Sequence, residues 1–178
     1  EHTPNGRLVV FDPITQKTTT LLSGLYFANG VALSSDESFV LVNETLMYRI
    51  QKYWLKGDKA GTSEIFIENL PGFPDNVSSN EEGIFWVALF NPRNNFVEMS
   101  SNKPFLRKIV FRLPELLQPQ PINHSFVLGL NEDGKVVHNL QYQANEAYSP
   151  ITSVKQYNDT LYFGSLTHPG WGKIEVPK

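Results

Sequence analysis

The chain has 178 residues, 40% hydrophobic and 12% aromatic, enough to bury a core as one domain. Its net charge of −3 comes from 15 basic and 18 acidic residues scattered without runs, which excludes the basic footprint of a nucleic-acid or anionic-membrane binder. Cysteine is absent, so disulfides, thiolate zinc sites and cysteine nucleophiles are excluded too.

The opening Glu1-His2-Thr3-Pro4-Asn5-Gly6 runs straight into strand pattern, which predicts a start in mid-domain. "RLVVFDPITQKTTTLL", residues 7–22, reads as a hairpin turning at Asp12-Pro13. Residues 26–68 follow as a larger unit, with "YFANGVALSSDESFVLVN" as its first hairpin and "MYRIQKYWL" and "TSEIFIENL" extending it. A second unit, 72–141, opens with "FPDNVSSNEEGIFWVALF" and closes with "FVLGLNEDGKVVHNL". A third, 148–176, opens with "SPITSVKQYNDTLYFGSL".

These units are copies of one pattern. Phe27-Ala28-Asn29-Gly30-Val31 aligns with Phe73-Pro74-Asp75-Asn76-Val77, and Phe39 and Phe85 each fall eight residues after the valine. Pro150-Ile151-Thr152-Ser153-Val154, with Tyr162 eight residues on, is a third copy displaced by an insertion over 91–124. Within that insertion Leu106, Ile109, Val110 and Leu113 share one helical face between Pro104 and Pro114, which predicts a short packing helix near 104–118.

A period of about 40–50 residues with four strands per unit is the mark of an all-β fold, the β-propeller. About three blades are present, too few to close a ring, so the chain reads as part of one, with 7–22 as the outer hairpin of an incomplete blade and 148–176 as another incomplete blade. Innermost strands line a propeller's central channel, so Asn29, Asp75-Asn76 and Thr152-Ser153 are expected to converge there.

Asn29, Asp75 and Asn76 offer two amide carbonyls and one carboxylate, hard oxygen donors of the kind calcium takes. His2, His124, His138 and His168 are not paired at ligand spacing, which disfavours zinc and copper. Asn-Gly and Asp-Asn pairs also form turns by capping the backbone, and on the repeat alone the two readings stand level. His168 in "LTHPGWG" and Glu44 past "SFVLV" read as a structural histidine and a solvated strand-end acid. Nucleophile elbow, P-loop, dinucleotide fingerprint and zincin helix are all missing.

Four sequons begin at Asn43, Asn76, Asn123 and Asn158 and favour a secretory chain. No apolar run reaches the roughly 20 residues that cross a bilayer, so any membrane association is expected through a segment outside this chain.

"GRLVVFDPITQKTTTLL", "YFANGVALSSDESFVLVNET", "YWLKGDKAGTSEIF", "LPGFPDNVSSNEEGIFWVAL" and "NDTLYFGSL" together resemble the strictosidine synthase-like family, in order along nearly the whole chain. The resemblance implies a six-bladed propeller of which this is the C-terminal half, with the N-terminal half as its partner. "YFANG" and "DN" followed by "FWV" are similar, more distantly, to paraoxonase motifs. That likeness implies that Asn29, Asp75 and Asn76 ligate calcium in an arylesterase or lactonase acting on a small apolar ester or lactone.

Two positions depart from these families. Thr152 stands where strictosidine synthase carries its acid–base glutamate, which disfavours Pictet–Spengler chemistry because a hydroxyl does not titrate near neutral pH. Phe90 stands where paraoxonases carry a histidine, so the catalytic residues remain unknown from this chain. A channel position for Asn76 leaves Asn43, Asn123 and Asn158 as the expected glycan acceptors.

Overall fold

A computed structural model describes residues 3–93, 105, 112 and 122–177. Thirteen antiparallel strands form four sheets among the described residues. β1 (Gly6–Asp12) and β2 (Lys17–Leu25) make a hairpin. β3 (Ala28–Leu33), β4 (Phe39–Glu44), β5 (Arg49–Trp54) and β6 (Ser63–Ile67) form a four-stranded meander, with a 3₁₀ turn at Thr45–Met47 between β4 and β5. β7 (Gly72–Ser79), β8 (Ile84–Pro92), β9 (His124–Asn131) and β10 (Val136–Gln143) form the next. β11 (Ile151–Tyr157), β12 (Thr160–Ser165) and β13 (Gly172–Glu175) form a three-stranded one.

Polar side chains punctuate the hairpins by taking backbone amides that the ladder leaves free. Asp12 accepts the Ile14 amide at 2.8 Å and the Thr15 hydroxyl at 2.6 Å, closing the expected turn at Asp12-Pro13. Asp36 accepts the Ser38 amide and the Ser34 hydroxyl, each at 2.9 Å, and these bonds hold its carboxyl down at about 2. Asn80 and Asn131 repeat the device at the β7–β8 and β9–β10 turns.

The inner strands carry apolar residues on both faces because each sheet is sandwiched between neighbours. In β4, Phe39 and Leu41 pack toward the β7–β10 sheet, while Val40 and Val42 meet Leu8 and Leu25 of the first hairpin. In β8 the same alternation sends Phe85, Val87 and Leu89 one way, and Trp86 and Ala88 toward Ile151, Val154 and Leu161. Phe39 and Phe85, matched in the repeat, meet with ring centroids 5.7 Å apart. One cation enters this core: the Lys52 ammonium lies 4.1 Å from the Phe39 ring and donates to the Glu132 carbonyl at 3.0 Å, clamping one sheet to the next.

Stacked face to face, with first strands β3, β7 and β11 running side by side, these sheets are the blades of a β-propeller. The helix expected near 104–118 lies outside the described residues apart from Phe105, which is helical and exposed, and Arg112.

Candidate functional site

The three first strands share an irregularity at the position the repeat singled out. β3 pairs Ala28 with Glu44 and Val31 with Val42, so Asn29 and Gly30 together face the single residue Asn43. β7 pairs Pro74 with Leu89 and Val77 with Val87, so Asp75 and Asn76 face Ala88 alone. β11 pairs Ile151 with Ser165 and Ser153 with Gly164, leaving Thr152 as the extra residue. Such bulges break the alternation of a strand and re-aim side chains. Here they turn the polar positions of adjacent blades toward one another.

Asn29 Nδ2 donates to Asp75 Oδ1 at 2.8 Å, and Asn76 Nδ2 reaches the same oxygen at 3.4 Å. Two amides thus converge on one carboxylate oxygen. Burial raises the Asp75 carboxyl above its ordinary 3.8, while the bond from Asn29 pulls the other way. Among the described residues no Lys, Arg or His forms an ion pair with Asp75.

The backbone beneath is tightly built. A Cβ on Gly30 would come within 2.5 Å of Asn76 Cα and the Val77 nitrogen, so only glycine lets β3 approach the β7 bulge this closely. Asn76 Nδ2 also donates to the Thr152 carbonyl at 2.8 Å, which ties β7 to β11. The Thr152 hydroxyl turns away, donating to Gly164 at 3.3 Å, so Thr152 offers the site a carbonyl and not an acid or base. Phe27, before β3, takes φ 55°, a left-handed value costly for a bulky side chain and the kind of strain found at functional sites.

Beside Asp75 lies a cavity of about 530 Å³ lined by Phe27, Leu46, Phe73 and Phe90, with Asn29, Thr45, Asp75 and Asn91 as its polar edge. Its wall is apolar and its polar groups are few, the usual composition of a small-molecule site. His168 is exposed and packs on Tyr148, ring centroids 4.6 Å apart.

Two sequence-based expectations require correction. Asn43 is fully buried, with Nδ2 donating to the Asp75 carbonyl at 2.8 Å, so the atom that would carry a sugar is inside the fold and already bonded. Glu44 is not a solvated strand-end acid. It is fully buried, accepts the Tyr26 amide at 2.9 Å and Gln51 at 3.0 Å, and pairs with Arg49. Burial pushes the Glu44 carboxyl up, but the bonds from Arg49, Tyr26 and Gln51 outweigh it and hold the group below its ordinary 4.5. Asn123 and Asn158 lie at exposed positions.

Thr45 was not singled out in the sequence. Its hydroxyl donates to the Pro74 carbonyl at 2.7 Å and accepts from Asn29 Nδ2 at 3.3 Å. The usable signal was polar Asn43 and Glu44 ending a strand that is otherwise wholly apolar, "FVLV".

Residues 1–58 match the strictosidine synthase family model. Over 96% of its length the chain is 41% identical to strictosidine synthase-like protein 10 of Arabidopsis thaliana, covering 47% of that protein. The sequence likeness to strictosidine synthase-like proteins thus runs along nearly the whole chain. Adipocyte plasma membrane-associated protein of Bos taurus is 35% identical over 95% of the chain and 42% of the relative. The chain therefore spans about half the length of the strictosidine synthase-like relatives it matches. Among solved structures it resembles a luciferin-regenerating enzyme (TM-score 0.58, 18% identity, 90% of this chain and 44% of that one). It also resembles a gluconolactonase from Xanthomonas campestris (TM-score 0.57, 14% identity, 88% and 40%). A calcium-binding protein, regucalcin, from Agrobacterium tumefaciens gives a TM-score of 0.56 at 15% identity, over 94% and 47%. At these identities the likeness speaks for the fold.

Proposed function

We propose that the intact protein is a calcium-dependent hydrolase of small apolar esters or lactones, with Asn29, Asp75 and Asn76 as its calcium ligands. The observation that carries this reading is the convergence of two amides on one half-buried carboxylate that has no cationic partner among the described residues.

The donor set fits the ion. One carboxylate with neutral amide oxygens is an ordinary calcium environment, and rotating each amide by a half-turn exchanges its nitrogen for its carbonyl oxygen. No group of three or more His, Cys, Asp or Glu suited to a metal occurs among the described residues. When bound, calcium would polarise a substrate carbonyl and stabilise negative charge developing on its oxygen. Without the ion Asn76 is held by the Thr152 carbonyl and Asn29 by Asp75 and Thr45, bonds that the half-turn would give up in exchange for contacts to calcium. Phe27, Phe73 and Phe90 would seat the apolar part of the substrate and exclude water.

The regucalcin likeness lends support through the word calcium alone, and the gluconolactonase likeness through lactone hydrolysis in a similar fold. A closed ring takes further blades, which would supply the rest of the channel. A Pictet–Spengler synthase has little support because the Thr152 hydroxyl is committed to Gly164.

The competing reading is a non-catalytic, membrane-associated propeller with structural calcium. Its support is the likeness to the adipocyte plasma membrane-associated protein of Bos taurus. No helix among the described residues is long and apolar enough to cross a membrane. Turnover of an aryl-ester and lactone panel, with and without chelator, separates the two. The hydrolase reading predicts chelator-sensitive turnover, and calcium binding without any turnover would sink it.

A further inference from the structure

The β7 bulge that presents Asp75 and Asn76 shifts the β7–β8 register between Pro74 and Val77, and the carbonyls of Pro74 and Asp75 lie at that shift. Both are taken by side chains from the preceding blade: Pro74 by the Thr45 hydroxyl at 2.7 Å, and Asp75 by Asn43 Nδ2 at 2.8 Å. Asn43 and Thr45, two residues apart, reach consecutive carbonyls. Asn43 also stands opposite the Asn29-Gly30 bulge of its own blade, so it touches both halves of the amide–carboxylate cluster.

The polar side chain is not needed to make a bulge. In the next blade the corresponding place, opposite Asp75-Asn76, is filled by Ala88, buried and apolar. Nor does Asn43 suit the core around it, because its Oδ1 is buried without a hydrogen-bond partner among the described residues. A buried acceptor left unpaired destabilises a fold. An amide there has to be accounted for by what its nitrogen holds.

We infer that Asn43 and Thr45 are positioning residues: they pin the β7 bulge so that Asp75, Asn76 and Asn29 meet at one point, at some cost to the stability of the core. This rests on the calcium reading above. Neither residue would touch the substrate's reacting atoms; each acts through the backbone that carries Asp75.

The test is calorimetric calcium titration of the intact protein, with melting temperatures of the calcium-free forms measured in parallel. Asn43→Ala, which copies the residue of the next blade, and the near-isosteric Asn43→Leu should each weaken calcium binding about tenfold or more. The calcium-free Asn43→Leu protein should melt no lower than wild type. Thr45→Val should also weaken binding, and Thr45→Ser, which keeps the hydroxyl, should restore it to within about threefold of wild type. Wild-type affinity in both Asn43 variants would overturn the inference. So would affinity that falls only in step with the calcium-free melting temperature, or Thr45→Ser behaving like Thr45→Val. A wild-type protein that binds no calcium would overturn the calcium reading itself and this inference with it.

Discussion

Burial pushes the carboxyls of Asp75 and Glu44 the same way, upward, and their hydrogen-bond partners decide the opposite net results. Burial dominates at Asp75, which has amide neighbours and a raised carboxyl; Glu44 has a guanidinium, an amide and a side-chain amide that together hold it below its ordinary value. Asp75→Ala should therefore abolish any calcium-induced rise in the melting temperature of the intact protein, read by differential scanning calorimetry with and without chelator. Glu44→Gln leaves Arg49 without its counter-charge. It should cost about 3 kcal/mol, the low end for breaking a buried pair because Arg49 is 22% exposed. A depressed carboxyl contributes stability that is complete above its unfolded value and is lost as pH falls through the folded one. The wild-type advantage over Glu44→Gln should thus hold near neutral pH and shrink once pH drops below about 4.5, which urea unfolding across a pH series would read.

Among the elements, the shared bulge is what converts a strand repeat into a site. Gly30 is its tightest point, and Gly30→Ala would drive a methyl group into the Asn76 and Val77 backbone. That overpacking should cost about 1–3 kcal/mol and separate β3 from β7, so thermal stability and calcium affinity should fall together. A Gly30→Ala protein as stable as wild type would contradict the packing described. Much of this was legible beforehand. The valine-to-phenylalanine spacing of eight placed Phe39 and Phe85 in one core because a two-residue period fixes which face each side chain takes. The bulges were not legible, since pairing two residues against one depends on a second strand whose register no local pattern states. Asn43 was misread for a related reason. Asn-Glu-Thr is a valid acceptor on a loop and, at the end of a buried strand, three anchors: Asn43 to Asp75, Glu44 to Arg49, and Thr45 to Pro74.

For the whole molecule, the core is a series of interfaces between sheets in place of one central mass. Phe85 sits in the one between the β3–β6 and β7–β10 sheets, buried against Phe39 and Phe66. Phe85→Ala should cost about 3–5 kcal/mol, measurable by denaturant unfolding of the intact protein. The first hairpin leaves Val9, Val10, Phe11 and Ile14 exposed. Glycopeptide mass spectrometry of protein made in a secretory host should find Asn43 unmodified, with any sugar confined to Asn123 and Asn158. The central claim is that one carboxylate and two amides from adjacent blades hold calcium, and a crystal structure of the intact protein grown with calcium tests it most directly. The account predicts an ion about 2.3–2.6 Å from the Asp75 carboxylate and from the side-chain carbonyls of Asn29 and Asn76. Asn29 still donating its amide to Asp75 under saturating calcium, or a sugar on Asn76, would contradict it.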